Sequence, residues 1–291
     1  MRPRRFTTSS REGMLRGVGR PDDIRLSFNE VPDLYDEIRP GYPASLFVEL
    51  FALLPLRPEI IEVGSGTGQA TKELLARGAS VHAVEIGPAT AAKLRSNHPT
   101  PQLRITVGDF EQVDINRSSA DALFSAAAYH WVTPEAQLER PTHIVRGGGI
   151  LAVVDLIQVQ SDADGGFFAA VQPIFERHGQ GHQGPPAPDR DAVDPRLRAA
   201  LEADPRYEDV AVHRYDWDQT YSAVEYRKLL TSDSGRQMME PVDRELLLDD
   251  IQAFIEERFS GVITRPLVAA LTTARLATAG RQSAAAVTAT V

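Results

Sequence analysis

The sequence predicts an α/β fold: a doubly wound, mostly parallel sheet with a helical insertion that would act as a lid. Three observations support this prediction. The 291-residue chain can bury the core of one elaborated domain, short apolar runs alternate with helical patterns over residues 43–157, and this alternation breaks over residues 158–206. Because parallel strands need crossover connections, strands that alternate with helices are typical of a parallel sheet.

The first half of the chain contains the alternating elements in order. A helix is predicted around PASLFVELFALL (43–54), and the apolar run IIEV (60–63) predicts the first strand. Further helices are predicted around ATKELLARG (70–78) and TAAKLRSN (90–97), and further strands over SVHAVE (80–85), LRITVGD (103–109), ADALFSAA (120–127) and GILAVVDLI (149–157). Pro141 follows PEAQLE and predicts a kink or a shorter helix there.

The second half of the chain is less regular. Residues 158–206 hold a predicted helix GGFFAAVQPIFERHG, a loop rich in Pro and Gly, and a predicted helix PRLRAALEA. The alternating segment YEDVAVHRYDW (207–217) predicts a strand, and a long helix is predicted over residues 242–261. For VITRPLVAALTTA (262–274), the β-branched start favours a strand and the alanines favour a helix.

These patterns divide the chain into five parts. We expect a flexible arm over residues 1–26, a ligand-binding core over 27–157, a lid over 158–206, a C-terminal part of the core sheet with helices over 207–276, and a flexible tail over 277–291. The lid would supply part of the substrate specificity.

Composition excludes several classes of function. The net charge of -9 gives no general basic field for a nucleic acid. No apolar run approaches the roughly 20 residues that span a bilayer, and the N-terminal stretch lacks the apolar centre of a secretory signal, so we expect a cytoplasmic protein without a membrane partner. The absence of cysteine excludes disulfides, thiolate metal sites and cysteine nucleophiles. We expect a monomer or a homodimer.

A glycine-rich turn is the strongest chemical signal. The segment IIEVGSGTGQAT follows an apolar strand, precedes a helix, and contains Gly64, Ser65, Gly66 and Gly68. Glycines there let the backbone turn tightly and approach a ligand at the carboxyl end of the sheet. A dinucleotide fingerprint needs Gly or Ala where this chain has Gln69, and no Gly-Lys-Ser/Thr follows. The turn therefore favours a ligand without phosphates.

Three carboxylates lie at the ends of consecutive predicted strands. Glu62 precedes the glycines, Glu85 ends the second strand, and Asp109 follows the third. Glu85 could accept hydrogen bonds from two ribose hydroxyls, Asp109 could accept from an exocyclic amine, and Glu62 could hold an ammonium group. A ribose, an adenine and an amino acid without phosphate describe S-adenosyl-L-methionine.

At these residues the sequence resembles the class I S-adenosylmethionine-dependent methyltransferases. The segments EVGSGTG, VHAVEIGP and GDFEQ resemble the first three motifs of that family, and the resemblance covers about residues 28–157. It implies a Rossmann-like, seven-stranded sheet. It also implies that Ile86 and Phe110, which follow two of the carboxylates, contact the cofactor.

The upstream segment YDEIRPGYP resembles a stretch found in a small-molecule subgroup near the trans-aconitate methyltransferases. By that resemblance Tyr35 and Arg39 would close over the cofactor, Arg39 would be available for a carboxylate, and Tyr42 would be near the acceptor. The alternative is that Pro40 and Pro43 form a rigid turn, with the tyrosines packed on the sheet.

The stretch SAAAYHWV ends the fourth predicted strand, which in the family delivers residues beside the transferable methyl group. Ser125 and its small neighbours would let the sulfonium end approach the backbone, and Tyr129, His130 and Trp131 would wall the site. His130, with an ordinary pKa near 6.5, is the candidate base for an alcohol or phenol acceptor. The alternative is that His130 only hydrogen-bonds a neighbouring loop.

We therefore expect methyl transfer to a small organic acceptor, with O-methylation of a hydroxyl or carboxyl favoured, S-adenosyl-L-homocysteine as product, and no metal. The alternatives are a non-catalytic cofactor-binding protein, a C- or N-methyltransferase of a natural-product pathway, a nicotinamide dehydrogenase and a nucleic-acid methyltransferase. Phe167 and Phe168 have helical spacing and could be core or touch an apolar acceptor. His178 and His182 have a metal-pair spacing, but the adjacent glycines favour solvated loop histidines.

Overall fold

The computed structural model describes residues 29, 32–181, 186–233, 236 and 238–278. Within them, seven strands form one Rossmann-like sheet: β1 Glu59–Val63, β2 Ser80–Glu85, β3 Leu103–Val107, β4 Ala120–Ala126, β5 Val145–Gln158, β6 Tyr207–Ser222 and β7 Val262–Leu276. Their order across the sheet is β3-β2-β1-β4-β5-β7-β6. The predicted doubly wound α/β fold is confirmed. Residues 1–26 of the predicted arm, most of the predicted tail and His182 lie outside the described residues.

The five strands from β1 to β5 are parallel, whereas β7 is antiparallel to both of its neighbours. The segment that the sequence left open between strand and helix is therefore a strand. Most of its β-branched residues and all of its alanines are buried between β5 and β6, and small side chains suit a strand that is covered on both faces.

Ten α-helices flank the sheet in the described part of the chain. They are α1 Pro32–Ile38, α2 Ala44–Ala52, α3 Thr71–Ala76, α4 Pro88–Asn97, α5 Pro134–Ile144, α6 Phe167–Ala170, α7 Gln172–Arg177, α8 Arg196–Ala203, α9 Ala223–Thr231 and α10 Pro241–Arg258. Three-residue 3₁₀ turns lie at Tyr129–Trp131, Asp162–Asp164 and Arg190–Ala192. None of these helices combines the length and apolar composition needed to cross a membrane.

Apolar side chains cover both faces of the sheet. Phe124 of β4 faces one side with Phe47 of α2, and their rings are 6.1 Å apart. Leu123, the preceding residue, faces the other side and packs with Leu201 of α8. Alternation along β4 therefore anchors a helix on each face and holds the carboxyl ends of the parallel strands in a fixed arrangement.

The segment 158–206 is divided between two places in the fold. Helices α6 and α7 replace the single predicted helix, because Pro173 has no N–H to continue the helical bonding of α6. They pack with α9 and α10 in a separate apolar cluster, whereas α8 packs against the main sheet. Only the first part of the predicted lid is therefore near α9, and its action as a lid stays a prediction.

Helix α5 continues through Pro141 to Ile144, so the expected shortening does not occur. A proline inside a helix leaves the carbonyl four residues earlier without its usual donor. Here that carbonyl belongs to Gln137, and the Tyr129 hydroxyl donates to it at 2.9 Å. A side chain from the end of β4 thus supplies the hydrogen bond that the proline cannot make.

Candidate active site

The glycine loop after β1 places backbone at the carboxyl end of the sheet. Gly64 has φ +68°, and its N–H donates to the Val84 carbonyl of β2 at 2.9 Å. A Cβ at this position would overlap the Cβ of Ala128, which follows β4. The glycine is therefore required both by the left-handed backbone and by the close approach of two chain segments.

Glu85 ties the glycine loop to the next turn. One carboxylate oxygen accepts from the Gly66 N–H at 2.8 Å, and the other accepts from the Gly87 N–H at 2.9 Å and the Thr90 hydroxyl at 3.1 Å. The carboxylate is 7% exposed and lines a cavity. A buried carboxylate surrounded by donors can also accept from the hydroxyls of a bound ligand.

Asp109 and Phe110 form the adjoining wall after β3. One Asp109 oxygen accepts from the Glu111 N–H at 2.9 Å, which orients the carboxylate at the start of the turn. Phe110 is buried, and the Arg140 guanidinium lies 5.0 Å from its ring centroid. This wall therefore joins one acidic group to an apolar ring face.

Glu62 lies beneath the glycine loop rather than in the cavity. The side chain is 2% exposed and accepts from the Thr71 hydroxyl at 2.6 Å. Burial raises its pKa to about 8, and the negative charge of Glu85 adds to the increase, while the Thr71 hydrogen bond opposes it. A cation brought to the loop would favour the ionised form.

The raised pKa of Glu62 predicts a specific pH dependence of stability. Between pH 4.5 and 8 the unfolded chain loses this proton and the folded chain keeps it, so the free energy of unfolding falls as pH rises through that window. At about 1.4 kcal/mol per pKa unit, the loss is several kcal/mol. Glu62→Gln can still accept from Thr71, and we expect it to remove most of this loss when urea unfolding is measured from pH 5 to 8. Parallel pH profiles of the two proteins would contradict the assignment.

The chain turns sharply after β4. Ala127 has φ +53°, an uncommon backbone conformation for alanine, and its N–H donates to the Val154 carbonyl of β5 at 2.8 Å. Ser125 is buried and donates to the Val63 carbonyl at 2.8 Å. Its hydroxyl therefore links β4 to β1 under the loop and does not line the cavity.

His130 and Trp131 line the cavity, with ring centroids 4.9 Å apart. Partial burial lowers the pKa of His130, and the positive charge of Arg196 lowers it further. The imidazole is therefore neutral at pH 7 and has a nitrogen available to accept a proton.

The prediction that Tyr129 walls the site is wrong. The side chain is 2% exposed, belongs to the core, and donates its hydroxyl proton to Gln137. Burial raises its pKa well above the ordinary value. Tyr129 therefore supports helix α5, and the cavity wall is formed by its two neighbours.

Tyr129→Phe is expected to cost about 1–2 kcal/mol of unfolding free energy, because it leaves the Gln137 carbonyl without a donor. In a Pro141→Ala background, the alanine N–H can donate to the same carbonyl, so the tyrosine substitution should cost less. Urea unfolding of the four proteins measures this coupling. An equal cost in both backgrounds would show that the hydroxyl does not compensate for the proline.

Helix α1 lies over the glycine loop. A Cβ on Gly66 would lie 3.4 Å from the Tyr35 ring, and the Arg39 guanidinium lies 5.0 Å from the centroid of that ring. Arg39 also donates to the Ser232 carbonyl at 3.2 Å. The Lys93 ammonium of α4 contacts Asp33 of α1 at 2.7 Å, so α1 is fastened to the parallel half of the fold.

These elements enclose a cavity of about 320 Å³, here called the strand-end cavity. Small-molecule sites in proteins commonly have volumes from about 300 to 1000 Å³. Ten of the predicted site residues line it: Tyr35, Arg39, Gly64, Gly66, Glu85, Ile86, Asp109, Phe110, His130 and Trp131. Glu62, Ser65, Gly68 and Ser125 lie behind this lining.

Gly68 has φ +110°, and a Cβ there would meet the His98 ring and Leu94 of α4. It therefore permits close packing between the loop and α4 and does not face the cavity. Ser65 is buried, and its hydroxyl has no hydrogen-bond partner among the described residues.

The predicted acceptor residues are not all brought together. Tyr42 packs on the sheet, with its ring centroid 6.2 Å from that of Trp217, which agrees with the packing alternative. Phe167 is fully buried in the cluster of α9 and α10, so its predicted contact with an acceptor is wrong. Phe168 lines a larger cavity of about 1120 Å³ beside the strand-end cavity.

The strand-end cavity is also lined by residues that the sequence patterns did not indicate as site residues, among them Leu156, Asp233 and Arg265. Leu156 lies near the end of β5, and Arg265 lies near the start of β7. Arg265 follows β-branched residues and precedes a proline, and that pattern contains no signal for a ligand site.

The predicted metal-pair spacing at His178 and His182 falls partly outside the described residues. His178 hydrogen-bonds Asp250 of α10 at 2.7 Å. Within the described ranges, no cluster of three or more His, Asp and Glu side chains is arranged to hold a metal ion.

Part of the chain is similar to known proteins. Residues 61–153, which run from β1 into β5, match a family model described as a methyltransferase domain. An uncharacterized methyltransferase of Mycobacterium tuberculosis is 33% identical over 132 residues, which are 45% of this chain and 53% of the relative. A malonyl-acyl-carrier protein O-methyltransferase of Halorhodospira halophila is 30% identical over 129 residues, 41% of this chain and 44% of the relative. The chain thus spans about half the length of the curated relatives that it matches.

Solved structures support the fold. A Bacillus halodurans protein assigned as a methyltransferase superposes with a TM-score of 0.52 at 17% identity, covering 82% of this chain and 100% of the other. A Haemonchus contortus phosphoethanolamine N-methyltransferase in complex with S-adenosyl-L-methionine gives a TM-score of 0.51 at 13% identity. The superposition covers 90% of this chain and 61% of the other.

Proposed function

We propose that this chain is an S-adenosyl-L-methionine-dependent methyltransferase that acts on a small organic acceptor. One observation carries the proposal: the buried Glu85 carboxylate, at the end of β2, faces the same cavity as a glycine loop that has no phosphate-binding sequence. The match of residues 61–153 to a methyltransferase domain supports the same conclusion.

The residues of the strand-end cavity fit this cofactor. Gly64 and Gly66 place backbone in the cavity wall, and the hydroxyl of Ser65, which lies between them behind the lining, has no partner among the described residues. Glu85 would hold the two ribose hydroxyls, Asp109 would accept from the adenine amine, and Phe110 would contact the adenine ring. Glu62 would attract the ammonium group through the loop above it.

Two further side chains would cover the cofactor. Burial raises the pKa of Tyr35, so its phenol stays protonated and can donate. Arg39 lies against that ring and would favour a carboxylate on either the cofactor or the acceptor.

S-adenosyl-L-methionine, when bound, supplies a methyl group on a sulfonium and leaves as S-adenosyl-L-homocysteine. The protein's tasks are to orient the acceptor and to exclude water. Trp131 would form an apolar wall for the acceptor. His130, neutral at pH 7, would take the proton of an acceptor hydroxyl, which favours O-methylation. A carboxylate acceptor would need no base, and His130 would then only orient it.

The test begins with calorimetry. We expect both S-adenosyl-L-methionine and S-adenosyl-L-homocysteine to bind and nicotinamide dinucleotides not to bind. Absence of binding by the first two at millimolar concentration would reject the proposal. Release of S-adenosyl-L-homocysteine during a screen of hydroxyl and carboxyl acceptors would distinguish an enzyme from a binding protein.

The role of His130 is tested once an acceptor is found. We expect His130→Ala to lower kcat about 100-fold or more for a hydroxyl acceptor and far less for a carboxylate. His213→Ala is the control, because His213 lies on β6 outside both cavities. An unchanged rate with a hydroxyl acceptor would exclude the base role.

A further inference from the structure

The larger cavity, here called the arginine cavity, adjoins the strand-end cavity. Arg39, Asp233 and Arg265 line both, so the two cavities meet at these residues. The wall of the arginine cavity includes Phe168 and Phe175 from α6 and α7, and Leu229 from α9. It therefore combines an apolar wall with charged groups at the junction.

Arg265 lies at that junction as a cation without a carboxylate at ion-pair distance among the described residues. Its Nε donates to the Gln158 side chain at 3.1 Å. No carboxylate of the described residues lies within ion-pair distance of its guanidinium, whereas Arg227 of α9 contacts both Glu245 and Asp249. A half-buried cation without an anion is unfavourable, because burial removes water that protein groups do not replace.

Three carboxylates also line the arginine cavity: Asp162 is exposed to solvent, and Asp164 and Asp233 have partners among the described residues. Asp233 contacts Arg236 at 3.2 Å, and Asp164 accepts from the Gly166 N–H at 2.8 Å. Tyr226 also lines the cavity, and burial raises its pKa to about 12, so its phenol is neutral. Arg265 has no carboxylate of the described residues at ion-pair distance, so a ligand that completes it accepts hydrogen bonds and is negatively charged.

We propose that Arg265 binds an anionic group of the carboxylate type on the methyl acceptor, whose apolar part lies in the arginine cavity. This inference rests on the proposed function. Because Nε of Arg265 is used by Gln158, the two terminal nitrogens remain, and their parallel N–H groups match the two oxygens of one carboxylate. The acceptor is therefore a small organic acid with an apolar body.

The probes are arylalkanoic acids, their primary amides and the corresponding phosphate monoesters. Each is titrated by calorimetry, with and without saturating S-adenosyl-L-homocysteine. We expect at least one acid to bind its site with an affinity about tenfold higher than that of its amide. We also expect Arg265→Gln to remove that preference. Arg227→Gln is the matched control, because Arg227 lies outside both cavities.

The outcomes separate this inference from the proposed function. If S-adenosyl-L-homocysteine binds but no acid binds better than its amide, the inference fails alone. It also fails if phosphate monoesters bind best, or if Arg265→Gln weakens only S-adenosyl-L-homocysteine, because Arg265 would then serve the cofactor. If S-adenosyl-L-homocysteine does not bind at all, the proposed function fails, and titrations without it still decide whether the acid site exists.

Discussion

Glu85→Gln is expected to weaken the binding of S-adenosyl-L-homocysteine about 100-fold, which corresponds to about 3 kcal/mol. Both carboxylate oxygens already accept from donors, the Gly66 N–H on one side and the Gly87 N–H on the other. A glutamine must turn its NH₂ group toward one of these donors, which removes a hydrogen bond and displaces the loop. It also offers one acceptor oxygen to the ribose instead of two.

The measurement is calorimetric titration, with urea unfolding to establish that the variant is folded. Glu225→Gln is the control, because Glu225 also accepts from a backbone N–H and a hydroxyl, both of Ser222, but at the start of α9 and outside the cavities. We expect this control to bind as the wild type does. A folded Glu85→Gln protein with unchanged affinity would remove Glu85 from the cofactor site and would leave the proposed function without its main support.

Gly64→Ala is expected to lower the free energy of unfolding by about 2–4 kcal/mol and to abolish cofactor binding. Two costs combine in this variant. The backbone at φ +68° is unfavourable for alanine, and the new methyl group would overlap that of Ala128. Because that neighbour is a short side chain on a turn fixed by β5, it has no rotamer that moves it away.

A matched glycine separates the two costs. Gly78 has φ +87° and nothing within 4 Å of its expected Cβ, so Gly78→Ala should cost only the backbone term of about 1 kcal/mol. Combining Gly64→Ala with Ala128→Gly removes the overlap and should restore part of the lost stability in urea unfolding. If Gly64→Ala costs no more than Gly78→Ala, the close approach of the two segments does not contribute.

The parallel half of the fold could be predicted because its signals are local. Each strand from β1 to β4 is a short apolar run followed by a turn, and the helices between them have their own periodicity. The C-terminal half depends on partners that are distant in the sequence. The segment around Leu267 could be resolved as a strand only by its burial between β5 and β6.

The same distinction applies to the candidate site. Gly64, Glu85 and Asp109 follow strands directly, so their common edge follows from the parallel topology. Arg265 reaches that edge from the antiparallel β7, and no local motif predicts it. The prediction for Tyr129 was wrong because the direction of a side chain in a 3₁₀ turn depends on the group that it contacts. Pro141 in the following helix was the signal that the Tyr129 hydroxyl would bond a helix carbonyl.

The interior position of β7 has a consequence for synthesis of the chain. Of the seven strands it is the last to leave the ribosome, yet it separates β5 from β6 in the sheet. Until residues 262–276 emerge, the apolar run of β5 presents an unpaired edge in the nascent protein. An unpaired strand edge can associate with other chains. We therefore expect this protein to be most prone to aggregate during translation, while the edge of β5 is exposed, and less so once the fold is complete.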